Sequence, residues 1–133
     1  MRILIAEDDF ASRKFMQKYL NTYGDCDITI DGEEAVEAFK MALEDNEPYD
    51  LMCLDIMMPA MDGYQVLKTV REIEKNHNRI GDKAVKIIMT TALNAERNIK
   101  AAFDMGCTVY CAKPNDLDKF EEVLKKIGIS ANK

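Results

Sequence analysis

The sequence predicts an α/β protein with a doubly wound, parallel, five-stranded sheet. Short apolar runs, typical of buried strands, alternate five times with segments whose apolar residues recur at helical spacing. Alternating strands and helices form a parallel sheet whose right-handed crossovers cover both faces. The chain has 133 residues, and no repeat or linker interrupts the alternation. We therefore expect a single domain over residues 1–133.

The apolar runs and the segments with helical apolar spacing give the position of each element along the chain. The predicted strands are the runs at 2–6, 26–30, 50–55, 85–91 and 108–112. The predicted helices are the segments at 10–23, 33–45, 63–75, 94–106 and 115–128.

Turn-forming residues separate the elements of the first half. The run "RILIA" at 2–6 is apolar after its first residue, as expected for a strand that is buried on both faces. Gly24 ends the first helix, and "CDITI" then supplies β-branched residues for a second strand. Asp31 and Gly32 turn the chain into the second helix, and Pro48 marks the loop before the third strand.

The second half repeats this alternation. A polar stretch at 76–84 predicts a loop, and Gly106 closes the fourth helix. The fifth helix carries acidic residues early and lysines late, which matches the helix dipole. The apolar residues of the third helix share one inward face: Val66, Leu67, Val70 and Ile73.

Composition excludes several classes of protein. The formal net charge of −6 argues against binding to a phosphate backbone, which needs clustered cations. No apolar run approaches the length of a membrane-spanning helix, and acidic residues begin at Glu7, too early for a secretory signal. We therefore expect a cytoplasmic protein without nucleic-acid or membrane partners. Its cysteines should be reduced, with Cys53 buried in its strand.

Polar side chains follow four of the predicted strands. Ligands of an open parallel sheet bind beyond the carboxyl ends of its strands, so these side chains should converge at one edge. The side chains in question are Glu7, Asp8 and Asp9 after the first strand, Asp55 at the end of the third, Thr90 and Thr91 at the end of the fourth, and Lys113 after the fifth.

This convergence of acids with a hydroxyl and a lysine indicates phosphoryl-transfer chemistry. Close carboxylates repel one another and need a compensating cation, and a few oxygen ligands with open positions suit Mg²⁺. Lysine and threonine add donors for an incoming anion. Asp55 is the natural nucleophile, because an aspartyl carboxylate can carry a phosphoryl group covalently.

Four motifs resemble the receiver domain of two-component response regulators: "ILIAEDD", "LDIMMPAMDG", "IIMTTA" and "YCAKP". They occur in the order and at the spacing of that family, over essentially the whole chain. The resemblance implies a flavodoxin-like, CheY-like fold with strand order 2-1-3-4-5. Since the pattern predicts no output domain within these residues, we expect the chain to be similar to the stand-alone members.

The resemblance also implies the ligands of the site. Asp55 matches the phosphoacceptor of the family, and Mg²⁺ is its metal. Glu7 and Asp8 match the acidic metal-binding pair, with Arg13 helping to fix this register, and Asp9 is the alternative if the strand ends one residue later. Asp9 has a competing interpretation as the cap of the first helix. Met57, two residues beyond Asp55, would offer its backbone carbonyl to the metal.

Three further residues match the switch of the family. Thr91 matches the hydroxyl that moves toward the phosphoryl group, since alternation places Thr90 on the opposite face. Lys113 matches the lysine that pairs with the phosphoryl group, and Tyr110 matches the aromatic side chain that changes rotamer.

The implied function is that of a phosphorylation switch. Asp55 would receive its phosphoryl group from a sensor histidine kinase or a histidine phosphotransfer protein. The downstream protein target would bind the face formed by the predicted helices at 94–106 and 115–128 with the strand at 108–112. The chain would act as a monomer or as a phosphorylation-dependent homodimer. It would catalyse only its own phosphorylation and dephosphorylation, and so would turn over no separate substrate.

Three other functions stay open on the same fold. An adaptor that works without phosphorylation would keep the fold and ignore the site. A Mg²⁺-dependent phosphohydrolase would place its nucleophile after the first strand, whereas Asp55 follows the third. A flavodoxin-type carrier would need a phosphate-binding loop rich in small residues where this chain has Glu7, Asp8 and Asp9.

Overall fold

Five parallel strands form one sheet in the computed structural model, which describes residues 1–91, 106–112 and 117–129. The strands are β1 (Arg2–Ala6), β2 (Asp25–Thr29), β3 (Leu51–Asp55), β4 (Lys86–Thr91) and β5 (Val109–Ala112). The helices are α1 (Phe10–Leu20), α2 (Gly32–Glu44), α3 (Gly63–Asn76) and a C-terminal helix (Leu117–Lys126), with a short 3₁₀ turn at Gly81–Lys83.

The strand order is β2-β1-β3-β4-β5, and every neighbouring pair is parallel. This order confirms the predicted doubly wound fold. Register aligns the carboxyl ends of the strands, since Ala6 pairs with Thr29 and with Leu54, and Asp55 pairs with Thr90. The loops that follow these strands therefore meet at one edge of the sheet.

The helices divide between the two faces of the sheet. Alternate residues of β1, such as Leu4 and Ala6, pack with α2 and α3 in one buried cluster. The intervening residues, such as Ile3 and Ile5, pack with α1 and the C-terminal helix in another. The period-two alternation of the strands thus builds two cores, one on each face.

Element bounds differ from the sequence prediction by a few residues. The first helix ends at Leu20 instead of position 23, because the N–H groups of Tyr23 and Gly24 bond back to the Leu20 carbonyl in a turn. The polar stretch at 76–84, predicted as a loop, contains the 3₁₀ turn. The predicted helix at 94–106 lies outside the described residues except for Gly106. None of the helices in the described ranges combines the length and apolarity needed to span a membrane.

Aspartates start the three helices that follow β1, β2 and β3. The side chains of Asp9, Asp31 and Asp62 each accept a backbone N–H from the first turn of α1, α2 and α3. At Asp62 the bond is reciprocal, because the Gln65 side chain accepts the Asp62 N–H. These caps fix where each helix begins at the carboxyl edge of the sheet.

Two thiols make the fold sensitive to alkali. Burial, assisted by the charges of Asp25 and Asp27, raises the pKa of Cys26 from 9.0 to about 11. Burial also raises the pKa of Cys107 from 9.0 to about 11, against an opposing effect of Arg71. The unfolded chain therefore loses these protons near pH 9, whereas the folded chain keeps them until about pH 11.

We expect the contribution of these two thiols to the free energy of unfolding to be fully present below pH 9 and to be lost as the pH rises toward 11. The buried thiol of Cys107 alone should account for about 2 kcal/mol of this loss at the upper end. Urea midpoints measured from pH 8 to 11 would check it. The variant Cys107→Ala should show a shallower alkaline decline, and equal declines in both proteins would contradict the assignment.

Candidate functional site

Three carboxylates converge at the carboxyl edge of the sheet. The side-chain oxygens of Glu7, Asp8 and Asp55 lie within 4.8 Å of one another. Glu7 and Asp55 are only 4% and 2% exposed, whereas Asp8 faces solvent. Two nearly buried acids and one exposed acid thus form an open-sided group of negative charge.

Central strands hold the two buried acids in place. Asp55 is the last residue of β3, and the next N–H, that of Ile56, donates to the Thr90 carbonyl at 3.0 Å. Glu7 directly follows β1, and its N–H donates to the Thr29 carbonyl at 3.1 Å. Each acid is therefore anchored through the backbone by a neighbouring strand.

Arg13 steadies the loop that carries the acid pair. Its guanidinium Nη1 donates to the main-chain carbonyls of Glu7 at 3.3 Å and Asp8 at 3.4 Å. Because the bonds reach the backbone, the carboxylates of both residues are left to face the cluster. Arg13 also brings a positive charge to the backbone of the loop that carries two of the three acids.

Asp9 belongs to the helix rather than to the cluster. Its side chain accepts the Ser12 N–H at 2.9 Å as the cap of α1. Its own N–H donates to Glu7 Oε2 at 3.2 Å, which helps orient the Glu7 carboxylate. The structure therefore groups Glu7 and Asp8 with Asp55, and gives Asp9 the capping position.

Met57 lies at the rim of the site. Its side chain is 65% exposed, and it lines an open cavity of about 590 Å³ together with Asp8 and Asp62. The remaining lining is mostly apolar: Ile56, Met58, Pro59 and Tyr64. A partner approaching the carboxylates from this side would meet an apolar wall.

The donor set fits a hard divalent cation. All three side-chain ligands are carboxylate oxygens, with no sulfur or imidazole among them. Mg²⁺ prefers oxygen ligands, is held by a few carboxylates and keeps several waters, so the exposed side at Asp8 suits it. Bringing buried like charges together also costs free energy, which a cation offsets.

The structure describes the predicted switch residues only in part. The backbone of Thr91 ends β4, one residue beyond the partner of Asp55, and Tyr110 lies in β5 opposite Met89. Their side chains are outside what the structure describes, as is Lys113, which follows the last residue of β5, Ala112. These three assignments stay predictions.

Two site-shaping residues were missed by the sequence argument. Thr29 bonds Glu7 through its carbonyl, and Gly63 allows α3 to begin directly against Asp55. A Cβ at Gly63 would lie 2.6 Å from the Asp55 carbonyl oxygen, closer than atoms can approach. Both contacts involve main-chain atoms and so leave no side-chain pattern in the sequence. The Asp-Gly pair at 62–63, which is typical of a turn, was the one sequence feature that could have indicated a close approach here.

The doubly wound sheet with an acid cluster at its carboxyl edge agrees with the receiver fold that the sequence motifs predict. The family model described as "Response regulator receiver domain" matches residues 3–125. The chain therefore belongs to the response regulator receiver domain family.

Relatives occur both as separate proteins and inside longer ones. "Chemotaxis protein CheY" of Treponema pallidum is 31% identical over 130 residues, which cover 93% of this chain and 83% of that protein. "Hybrid signal transduction histidine kinase L" of Dictyostelium discoideum is 32% identical over 132 residues, 98% of this chain. The chain spans 7%, 10% and 55% of the length of three such curated relatives.

Solved structures share the same fold. A chain in the crystal structure of a CheX–CheY–BeF3–Mg²⁺ complex from Borrelia burgdorferi superposes with a TM-score of 0.80 at 27% identity. The match covers 98% of this chain and 90% of that one. The chain is thus a receiver domain of two-component signalling.

Proposed function

We propose that this chain is a phospho-accepting response regulator, and that residues 1–133 act as one receiver unit. Asp55 accepts a phosphoryl group from the phosphohistidine of a histidine kinase or a histidine phosphotransfer protein. The observation that carries the proposal is the grouping of Asp55, at the end of a central strand, with Glu7 and Asp8. The hybrid histidine kinase among the relatives supports a phosphohistidine donor.

In the reaction, an Asp55 carboxylate oxygen bonds to phosphorus as the phosphorus–nitrogen bond to the donor imidazole breaks. The imidazole, which carries a proton on its other ring nitrogen, takes the electron pair of that bond and leaves as a neutral ring. Mg²⁺ held by Glu7, Asp8, Asp55 and the Met57 main-chain carbonyl would neutralise charge on the transferred group. Burial of Asp55 and Glu7 keeps water from screening these interactions. The chain turns over no separate substrate.

Phosphorylation would then bias a two-state equilibrium. We assign the Thr91 hydroxyl and Lys113 to the phosphoryl oxygens and Tyr110 to the rotamer change. The affected surface is the face formed by β5, the C-terminal helix and the segment 94–106, where a downstream protein or a second copy would bind. Within the described residues, Cys26, Cys53 and Cys107 form no disulfide, which supports a reducing compartment such as the cytoplasm.

Intact mass after incubation with acetyl phosphate and Mg²⁺ tests the proposal. We expect a gain of one phosphoryl group that requires the metal and is reversed by hydroxylamine, as an acyl phosphate is. Borohydride should reduce the phosphorylated Asp55 to homoserine, and peptide mapping should locate homoserine at this position. No gain from acetyl phosphate, from phosphoramidate or from a phosphorylated histidine phosphotransfer protein would contradict the proposal and favour an adaptor that works without phosphorylation.

A further inference from the structure

The turn between β2 and α2 contacts both halves of the carboxylate site. Thr29 holds Glu7 through its carbonyl, and Gly32, the first residue of α2, lies against Met61 in the loop that follows β3. We propose that residues 29–32, named here the bridging turn, set the separation between the acid pair and the loop at 56–62, named here the Met57 loop. Gly32 is then a positioning residue for metal binding, an inference that rests on the function proposed above.

Gly32 is needed for space rather than for backbone freedom. It is buried in the first turn of α2, with an ordinary helical conformation. A Cβ at this position would lie 2.2 Å from the Met61 carbonyl oxygen and 2.5 Å from the Met61 Cβ. The nearest of these contacts is backbone and cannot rotate away, so any larger residue must push the loop itself.

The loop has few ways to absorb such a push. Its base is closed, because the Gly63 N–H donates to the Ile56 carbonyl at 2.8 Å. Near its tip, the Met61 N–H donates to the Pro59 carbonyl at 2.8 Å across Ala60, whose φ is 69°. This tight turn is strained for a residue other than glycine. We expect the tight turn to pass a displacement at Met61 to the other arm of the loop, where Met57 lies between Ile56 and Pro59.

The other end of the bridging turn is anchored to β1. The Thr29 hydroxyl donates to the Ile5 carbonyl at 3.1 Å, beside the bond between the Thr29 carbonyl and Glu7. The Ile30 N–H donates to Glu34 Oε1 at 3.1 Å, which ties the turn to the first turns of α2. One short segment thus fixes both the strand that carries the acid pair and the contact with the Met57 loop.

Mg²⁺ affinity and stability, measured on the same variants, test the inference. NMR titration with Mg²⁺ should give Gly32→Ala a dissociation constant at least about tenfold above that of the wild type, the size expected when a supporting contact of a metal site is lost. The matched control is Ala42→Gly, a buried position in the last turn of α2, at the opposite end of the helix from Gly32. It should lower the urea midpoint and leave the dissociation constant unchanged.

Equal affinity in Gly32→Ala and the wild type would overturn the inference, as would an equal loss in Ala42→Gly. If Gly32→Ala does not fold, Glu34→Ala and Glu34→Gln decide, because only glutamine keeps an acceptor for the Ile30 N–H. We expect weaker Mg²⁺ binding in Glu34→Ala than in Glu34→Gln, and equal affinities count against the inference. A wild-type protein that binds no Mg²⁺ would instead refute the proposed function.

Discussion

Replacing Asp55 with asparagine should abolish phosphoryl uptake and, without metal, make the protein more stable by about 2 kcal/mol. The loss follows because an amide cannot serve as the nucleophile. The gain follows because three carboxylates lie within 4.8 Å of one another and two of them are nearly buried. Asparagine keeps the shape of the side chain and removes one of the repelling charges.

Mg²⁺ should reverse the order of the two proteins. A ligand that binds only the folded state, present at a hundred times its dissociation constant, adds about 3 kcal/mol of stability. The wild type should gain this amount, and Asp55→Asn should gain much less because one ligand has lost its charge. Urea unfolding with and without Mg²⁺ measures both effects in one experiment.

Asp9→Asn is the matched control, because asparagine caps a helix as well as aspartate does and removes a charge from the same loop. It should leave the Mg²⁺-dependent gain intact, since the Asp9 side chain is bonded to Ser12. If Asp55→Asn were no more stable than the wild type without metal, repulsion within the cluster would not be significant. If Mg²⁺ stabilised both proteins equally, the metal would bind elsewhere.

The fold was predictable because the apolar periodicity, the turn residues and the order of the elements all indicated a doubly wound parallel sheet. The apolar runs of β1 and β3 are continuous because both strands are central and covered on both faces. β2 lies at an edge, and its exposed Asp25 and Asp27 give it a weaker pattern that shifted its bounds by one residue. Phe10 fits the apolar spacing of α1, yet its side chain is 63% exposed. Apolar spacing indicates which side of a helix faces the sheet, but it does not show whether the sheet extends far enough to cover the first residue.

The convergence of the acids was predictable for a geometric reason. Parallel strands end at one edge, so Glu7 and Asp55 had to approach each other once β1 and β3 were neighbours. The choice between Asp8 and Asp9 depended on a register of one residue, which the pattern alone left open. The role of the bridging turn could not be predicted from the sequence. Thr29 acts through its main-chain carbonyl, and Gly32 acts by having no Cβ, so neither residue leaves a side-chain pattern.

Glu74 is the clearest residue that the pattern did not reveal. It is 2% exposed on α3, a helix whose inward face was read from apolar residues alone. Its carboxylate accepts Arg71 Nη1 and the Val85 N–H, each at 2.6 Å. Arg71 also donates to the carbonyls of Val85 and Gly106. A buried acid becomes reasonable only when these distant partners are known.

Replacing Glu74 with alanine should cost about 3 to 5 kcal/mol of the free energy of unfolding. Alanine leaves the Arg71 guanidinium without its counter-ion and the Val85 N–H, just before β4, without its acceptor. Glu74→Gln should cost only about 1 to 2 kcal/mol, because its one remaining oxygen still satisfies one of the two donors. Urea unfolding of both variants measures the difference, with Glu72→Ala on the exposed side of α3 as the near-neutral control.

The same variants should separate stability from function. Val85 precedes β4 at the amino edge of the sheet, whereas the carboxylate cluster lies at the carboxyl edge. Under conditions where Glu74→Ala is folded, its Mg²⁺ dissociation constant should therefore equal that of the wild type. A weakened affinity would mean that the contacts of Glu74 reach the metal site through β4, and the two edges of the sheet could no longer be treated as independent.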